Sequence, residues 1–207
     1  MLLNLTTLVK KYSLKINGVI HVGAHWGEEC DEYSQLGIKN IALIEPCAKA
    51  FNILKQKFSG HHHIKLFNYA CTTTAGTAVM FTETANKGQS NSLLEPVNHL
   101  KYYPEIKFNS TEIVKTVRLD ALGLHSKYNM LNIDVQGAEA GVLLGASGIL
   151  AQIDYVYTEV NQDGANLYKN AVGVTELDNI LREFDRVETN WVNAGWGDAL
   201  YIRKPIS

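Results

Sequence analysis

Cysteine is scarce in this chain: Cys30, Cys47 and Cys71 are all there are in 207 residues, and none forms a Cys-x-x-Cys pair. That excludes a disulfide frame and points to reduced thiols with packing roles, as expected of a cytoplasmic protein. Long apolar runs are also missing, and nothing approaches the roughly 20 residues of a membrane span. An excess of one charge is missing too. The net charge is -2 with no basic cluster, which excludes a general binder of nucleic acid or of anionic membranes. The opening segment, MLLNLTTLVKKYSLKING, has no basic stretch before its apolar residues and no small-residue cleavage site. It therefore reads as a short helical lead-in over residues 1–17 and not as a secretory signal. The 46% hydrophobic and 19% charged shares are ordinary for a globular protein. The length is most simply one domain, 1–207.

The most informative stretch is Gly18–Gly27, GVIHVGAHWG, followed by IALIEP ending at Glu45 and Pro46. It predicts a buried strand, a glycine turn, a helix, a second strand and then an acid. Glu45 stands 22 positions after Gly23, about where a mononucleotide-binding βαβ unit offers a carboxylate to ribose hydroxyls. Gly23 and Gly27 alone would also serve a plain tight turn; Glu45 tips the reading to a nucleoside. A dinucleotide fold wants G-x-G-x-x-G so that the backbone can approach a pyrophosphate. Here the second glycine position is His25, a poor match that weighs against a nicotinamide oxidoreductase. The turn has no Lys-Ser/Thr pair, which excludes a P-loop. A ligand with adenosine and no phosphate fits best, and S-adenosylmethionine is the common one.

Apolar spacing organises the rest. A helix from near Gly27 should close at Leu36-Gly37, and Asn40–Ile44 is a continuous buried strand. Ala50, Phe51, Leu54 and Phe58 recur at helical spacing, and His61, His62 and His63 follow in what reads as a solvated loop, since neighbouring side chains diverge. Ile64–Cys71 is expected as a third strand and TTTAGTAVMFTE as a hairpin. Residues 72–111 form a long irregular insert, of the kind that serves as a lid or substrate loop. Glu112–Leu119 alternates like an added strand, Met130–Val135 is a buried strand, and Ala138–Leu150 a helix. Ile153–Val160 is a further strand. Val174, Leu177, Ile180, Leu181 and Phe184 trace a helix capped by Thr175 or a neighbour, and Val187–Val192 and Ala199–Ile202 close as a strand pair. The alternation defines an α/β doubly wound sheet with one antiparallel strand.

In such sheets ligands sit outside the carboxyl ends of the strands. The polar residues at those ends are His21, His25, Glu45, Asn68, Asp134, Glu159 and Asn161, on five successive strand ends. Any one of them alone serves equally to cap the next helix; together they mark one rim.

The segment LNIDVQGAEAGVLLGA, residues 131–146, resembles the signature of FkbM-family methyltransferases: a strand ending in Asp, two further residues, then Gly-Ala-Glu. Other blocks resemble that family in order: IHVGAHWGEE, ALIEP, NYACTTTAG, NSLLE, TVRLDAL and TEVN. The likeness spans roughly residues 18–202. It implies a class I methyltransferase (Rossmann-like) fold with strand order 3-2-1-4-5-7-6, the last strand antiparallel. It also implies methyl transfer from S-adenosylmethionine, usually to a hydroxyl oxygen. Carried over by position, Gly23, Ala24, His25 and Gly27 line the methionine and ribose, and Glu45 holds the ribose diol with Pro46 beside it. Asn68, Tyr69 and Ala70 face adenine, and Asp134 and Val135 lie at the methyl end. His21 stands where many members carry Asp, which leaves the contact to the methionine amine open.

A sugar hydroxyl is a very weak acid, so a base or a metal must draw off its proton. Asp134 is the choice for that role. Glu159 and Asn161 either complete an oxygen-rich Mg²⁺ site with it or serve as hydrogen-bond clamps, the metal-free version being preferred. Tyr102, Tyr103, Trp191 and Trp196 would suit the C–H faces of a carbohydrate acceptor, and a glycosyltransferase of the same pathway is the partner this implies. Methylation of an RNA ribose or a small molecule, and a non-catalytic S-adenosylmethionine-binding module, are the alternatives.

Overall fold

The computed structural model describes residues 2–205; Met1 of the expected lead-in lies outside them. The chain begins with α1 (Leu5–Tyr12), β1 (Gly18–Val22), α2 (Cys30–Gln35), β2 (Asn40–Ile44), α3 (Ala48–Lys57) and β3 (Ile64–Phe67). It continues with β4 (Ala70–Cys71), β5 (Gly76–Thr82), α4 (His99–Tyr102) and β6 (Ser110–Val117). It ends with β7 (Met130–Ile133), α5 (Glu139–Gly145), β8 (Tyr155–Asn161), α6 (Val174–Ile180), β9 (Phe184–Trp191) and β10 (Trp196–Arg203).

The main sheet runs β3-β2-β1-β7-β8-β10-β9, with β10 antiparallel to both of its neighbours. Counting its seven strands alone, that is the order 3-2-1-4-5-7-6. The apolar runs of β1 and β7 are buried along their whole length because helices cover both faces. Alternation divides their side chains. Val19, Ile41, Leu43 and Met130 face a core closed by Leu8, Tyr33 and Leu54 from the first three helices. Ile20, Val22, Leu131 and Ile133 face one closed by Val142, Leu143 and Leu177 from α5 and α6. The chain leaves β1 toward β2 and returns on its other side as β7. The crevice at this switch point therefore opens between the carboxyl ends of β1 and β7.

Several expected boundaries are corrected. The third strand ends at Phe67, and Ala70–Cys71 joins a second sheet, order β4-β6-β5. The expected hairpin is not formed, because β5 pairs antiparallel with β6, from Gly76 opposite Thr116 to Thr82 opposite Ser110. The long-range partner wins because it lets Met80 and Val114 bury against Ala70. The helix read over 138–150 is only Glu139–Gly145. Gly145 packs against the Thr72 carbonyl, and the Gly148 N–H turns to the Asp120 carboxylate, which stops the helix there. α6 is entered through Gly173, and the Asp163 carboxylate, not Thr175, supplies the cap by accepting the Thr175 N–H at 3.2 Å. No helix among the described residues is long and apolar enough to cross a membrane.

Candidate active site

A cavity of about 300 Å³ opens at the carboxyl ends of β1, β2, β7 and β8. Its β1 wall begins with Gly23, whose φ of +84° is left-handed; a Cβ there would strike the Asp134 carbonyl oxygen. Glycine thus lets the ends of β1 and β7 close up. The Gly23 and Ala24 N–H groups donate to the Ile44 carbonyl at 2.9 and 3.1 Å, which ties the turn to β2. His25 follows, also left-handed at φ +44°, with its N–H donating to Glu45 Oε2 at 2.9 Å.

Glu45 is buried, and its other oxygen accepts the Cys47 N–H at 2.8 Å. Burial pushes its pKa up to about 7 even though both N–H groups favour the charged form. A carboxylate has about four acceptor sites, so two remain for a vicinal diol. Pro46, Tyr69, Ala70 and Val135 line the cavity around it. This wall fits an adenosine: an acceptor pair for ribose, small and apolar surface for the base, and no lysine or arginine for a phosphate.

The opposite wall is the loop after β7. Asp134 and Glu159 both line the cavity, and Gln136 lies between them. Gln136 Nε2 donates to Asp134 Oδ1 at 2.9 Å and to Glu159 Oε2 at 2.7 Å. Its Oε1 lies 3.1 Å from the Tyr168 hydroxyl, and its backbone carbonyl accepts from Ser92 Oγ at 2.7 Å. Gln136 adopts φ +56°, strained for a residue with a side chain, and Gly137 follows at +94°. Burial, and then the negative charges of Asp134 and Glu139, push the Glu159 pKa well above the carboxylate range. Glu159 is therefore held toward its protonated form beside Asp134. Glu139 is buried at the start of α5, accepts the Gly137 N–H at 3.0 Å, and is pushed up to about 7 by burial.

The insert roofs the cavity. Buried Glu83 accepts the N–H groups of Asn86 at 2.6 Å, Gly88 at 2.7 Å and Ser90 at 3.4 Å, which folds residues 84–90 into a tight loop. His25 fastens that loop to the β1 turn: its ring meets Glu28 at 2.6 Å and the Lys87 carbonyl at 3.1 Å. Burial opposes charge on the ring, but Glu28 and the Lys87 carbonyl outweigh it and raise the His25 pKa. Glu28, despite its own burial, is held down at about 2 by His25. Beyond Glu159 the lining is aromatic: His99, Tyr103, Tyr168 and Trp196, with Trp196 Nε1 donating to the Tyr103 hydroxyl at 2.8 Å.

Of the residues expected here, Gly23, His25, Glu45, Pro46, Tyr69, Ala70, Asp134, Val135 and Glu159 line the cavity; His21, Ala24, Gly27, Asn68 and Asn161 do not. His21 is one position short of Val22, so the pleat turns it to the other face, where Nδ1 meets the buried Tyr33 hydroxyl at 3.2 Å. Gly27 packs against Phe58 and Leu54. Asn68 works from behind, donating to the carbonyls of Glu45 and Pro46 at 2.9 and 3.0 Å. Asn161 is buried at the end of β8, and its Oδ1 has no hydrogen-bond partner among the described residues. The Asp134, Glu159 and Asn161 metal set is not assembled: Gln136 takes the space between the two acids. Among the described residues no three His, Cys, Asp or Glu side chains are grouped to hold a metal ion. Tyr102 points outward, and Trp191 lies off the lining. Sequence reasoning missed Gln136, Tyr168, His99 and Glu83; only Gln136 sat inside a recognised motif.

A 3-2-1-4-5-7-6 sheet with an adenosine-fitting acid after its second strand defines a class I S-adenosylmethionine-dependent methyltransferase. Solved structures share the fold across nearly the whole chain. One is the N-methyltransferase NodS from Bradyrhizobium japonicum WM9 in complex with S-adenosyl-L-homocysteine (TM-score 0.54, 10% identity, 97% of this chain and 85% of that one). Another is the ribosomal protein L11 methylase from Lactobacillus delbrueckii subsp. bulgaricus (TM-score 0.53, 11% identity, 97% and 76%). The chain belongs to the methyltransferase FkbM domain family, which it matches over residues 21–188. It is also similar to the 2-O-methyltransferase NoeI of Sinorhizobium fredii, with 26% identity over 180 residues, 82% of this chain and 72% of that protein.

Proposed function

We propose that the protein methylates a hydroxyl oxygen of a sugar in a glycan or glycoconjugate, with Asp134 as the base. The observation that carries this is the acid pair. Asp134 and Glu159 are fixed by one amide in the cavity wall, between the adenosine side and the aromatic side. Similarity to a 2-O-methyltransferase supports oxygen as the acceptor atom. S-adenosylmethionine, when bound, supplies a methyl carbon on a sulfonium, which an oxygen takes as the carbon–sulfur bond breaks. Glu45 and the Gly23 turn would hold its ribose, with Tyr69, Ala70 and Val135 about the base.

Asp134 accepts the hydroxyl proton as the oxygen becomes an ether. Glu159, which burial and the neighbouring acids hold toward its protonated form, does not compete for that proton. Tyr103 and Trp196 present faces to the C–H surface of the ring. The reading is metal-free, since Gln136 takes one oxygen of each acid and no three His, Cys, Asp or Glu side chains are grouped for a metal among the described residues. Full activity in EDTA is expected, and loss restored by Mg²⁺ would overturn that part. The test of the whole is mass spectrometry of a glycan panel incubated with the protein and labelled donor. A mass gain of one methyl on a sugar hydroxyl is expected. Donor binding with no methylated glycan would favour a non-catalytic module, and methylation of RNA ribose alone would replace the sugar.

A further inference from the structure

The cavity that receives the acceptor is lined by Glu28, Glu29, Glu45, Asp134 and Glu159, and by no lysine or arginine. Its basic side chains are two histidines. His25 is bound to Glu28. His99 is packed among Tyr103, Phe108 and Tyr168, and burial lowers its pKa toward the neutral form. Backbone N–H groups are the other means of holding an anion, and many of those around this cavity are taken. Gly23 and Ala24 donate to the Ile44 carbonyl, and His25 to Glu45. Gly137 and Val135 donate to Glu139. Asn86, Gly88 and Ser90 form a nest around the Glu83 carboxylate, so a side chain of the protein fills a place shaped for an anion. Lys87 of the insert is off the lining, with its ammonium over the Trp26 ring.

We propose that the acceptor enters this cavity free of phosphate: a neutral glycoside, not a nucleotide-activated sugar, a sugar phosphate or a nucleic acid. The inference rests on the reading of a sugar hydroxyl as the methyl acceptor. On a hexose the anomeric oxygen lies within one ring's breadth of any other hydroxyl. A phosphate there would share the cavity with the Asp134 and Glu159 carboxyl groups and meet no lysine or arginine. Like charges brought together in a confined site cost several kcal/mol, which corresponds to about 100-fold or more in kcat/KM. Glycosyl transfer, which releases the nucleotide, is then the class of reaction that supplies the substrate, and methylation follows it.

The experiment uses the full chain, labelled donor and matched acceptors: each sugar as its neutral methyl glycoside, its 1-phosphate and its nucleoside diphosphate. The expected result is a kcat/KM at least about 100-fold higher for the neutral member of every pair that is turned over. In a Gln89→Arg variant, which places a cation on the lining at an exposed position, the discrimination should fall by about tenfold. Equal or better use of the phosphorylated sugar overturns this proposal and leaves the sugar reading intact. Turnover of no sugar in any form, while S-adenosylhomocysteine still binds, overturns the sugar reading and this proposal with it. Discrimination that Gln89→Arg leaves untouched overturns the electrostatic account.

Discussion

A carboxylate that must take a proton from a sugar hydroxyl works best when its neighbour has no claim on that proton. Glu159 is in that condition because burial and the adjacent Asp134 charge keep it protonated. Asp134→Asn preserves the acceptor for Gln136 but removes the base. kcat should fall by about 10²–10⁴-fold with donor affinity, by calorimetry, little changed; undiminished turnover would remove Asp134 from the chemistry. Gln136 gives a second test at this scale. Its left-handed backbone costs roughly 1–2 kcal/mol, which Gln136→Gly would recover while losing the bridging amide. The expected outcome is a Tm close to wild type with kcat down tenfold or more, about 1.4 kcal/mol in barrier. A variant that loses stability in step with activity would make Gln136 merely structural. Spacing made Glu45, Asp134 and Glu159 legible, because an acid ending an apolar strand has few other uses. His21 was misplaced by one step of strand parity, which no motif states. Tyr168 could not have been read at all, since it reaches Gln136 from the loop after β8 and carries no periodic signal.

Among the elements, the insert over residues 72–111 is where sequence and structure part. Its strand β5 pairs with β6 across an intervening loop and helix, and pairing at that separation leaves no local pattern to find. The main sheet was legible because each of its buried strands is a continuous apolar run between turn residues. The loop over residues 84–90 owes its shape to Glu83, a buried acceptor serving three N–H groups. Glu83→Gln keeps the size but turns one acceptor oxygen into a donor facing donors. Each buried N–H left unmatched costs about 1–3 kcal/mol. Hydrogen exchange should quicken across this loop while the main-sheet strands stay protected. KM for the acceptor should rise by about tenfold or more, on the same 1.4 kcal/mol scale, with donor affinity changed less. Unaltered exchange in the loop would show that something other than Glu83 holds the roof.

For the molecule as a whole, the site sets how stability depends on pH. Glu45 and Glu139 titrate in the folded state near 7, and Glu159 is raised well above the carboxylate range, whereas an unfolded glutamate titrates near ~4.3. Their folded pKa values are raised, so the stability they confer is whole below the unfolded value and is lost as pH climbs through the folded one. His25, also raised, loses its contribution to rising pH in the same way, from its unfolded value of ~6.5 upward. His21 and His99, which burial lowers, act oppositely but only below ~6.5. Between about pH 6.5 and 8 Glu45, Glu139 and His25 all pull one way, and the Tm of the ligand-free protein should decline. A bound diol reverses the balance, because its hydroxyls donate best to an ionised Glu45. S-adenosylhomocysteine should therefore bind more tightly at pH 8 than at pH 6. A tenfold gain is about 1.4 kcal/mol at saturation, or roughly 3–6 °C in Tm for a chain of this size. Scanning calorimetry of wild type and Glu45→Gln, with and without that ligand, separates the two effects. The ligand-free Tm of the variant should change less between about pH 6.5 and 8 than that of wild type, and its ligand shift should be small and no longer grow with pH. A wild-type shift of equal size at both pH values would take Glu45 out of the donor site.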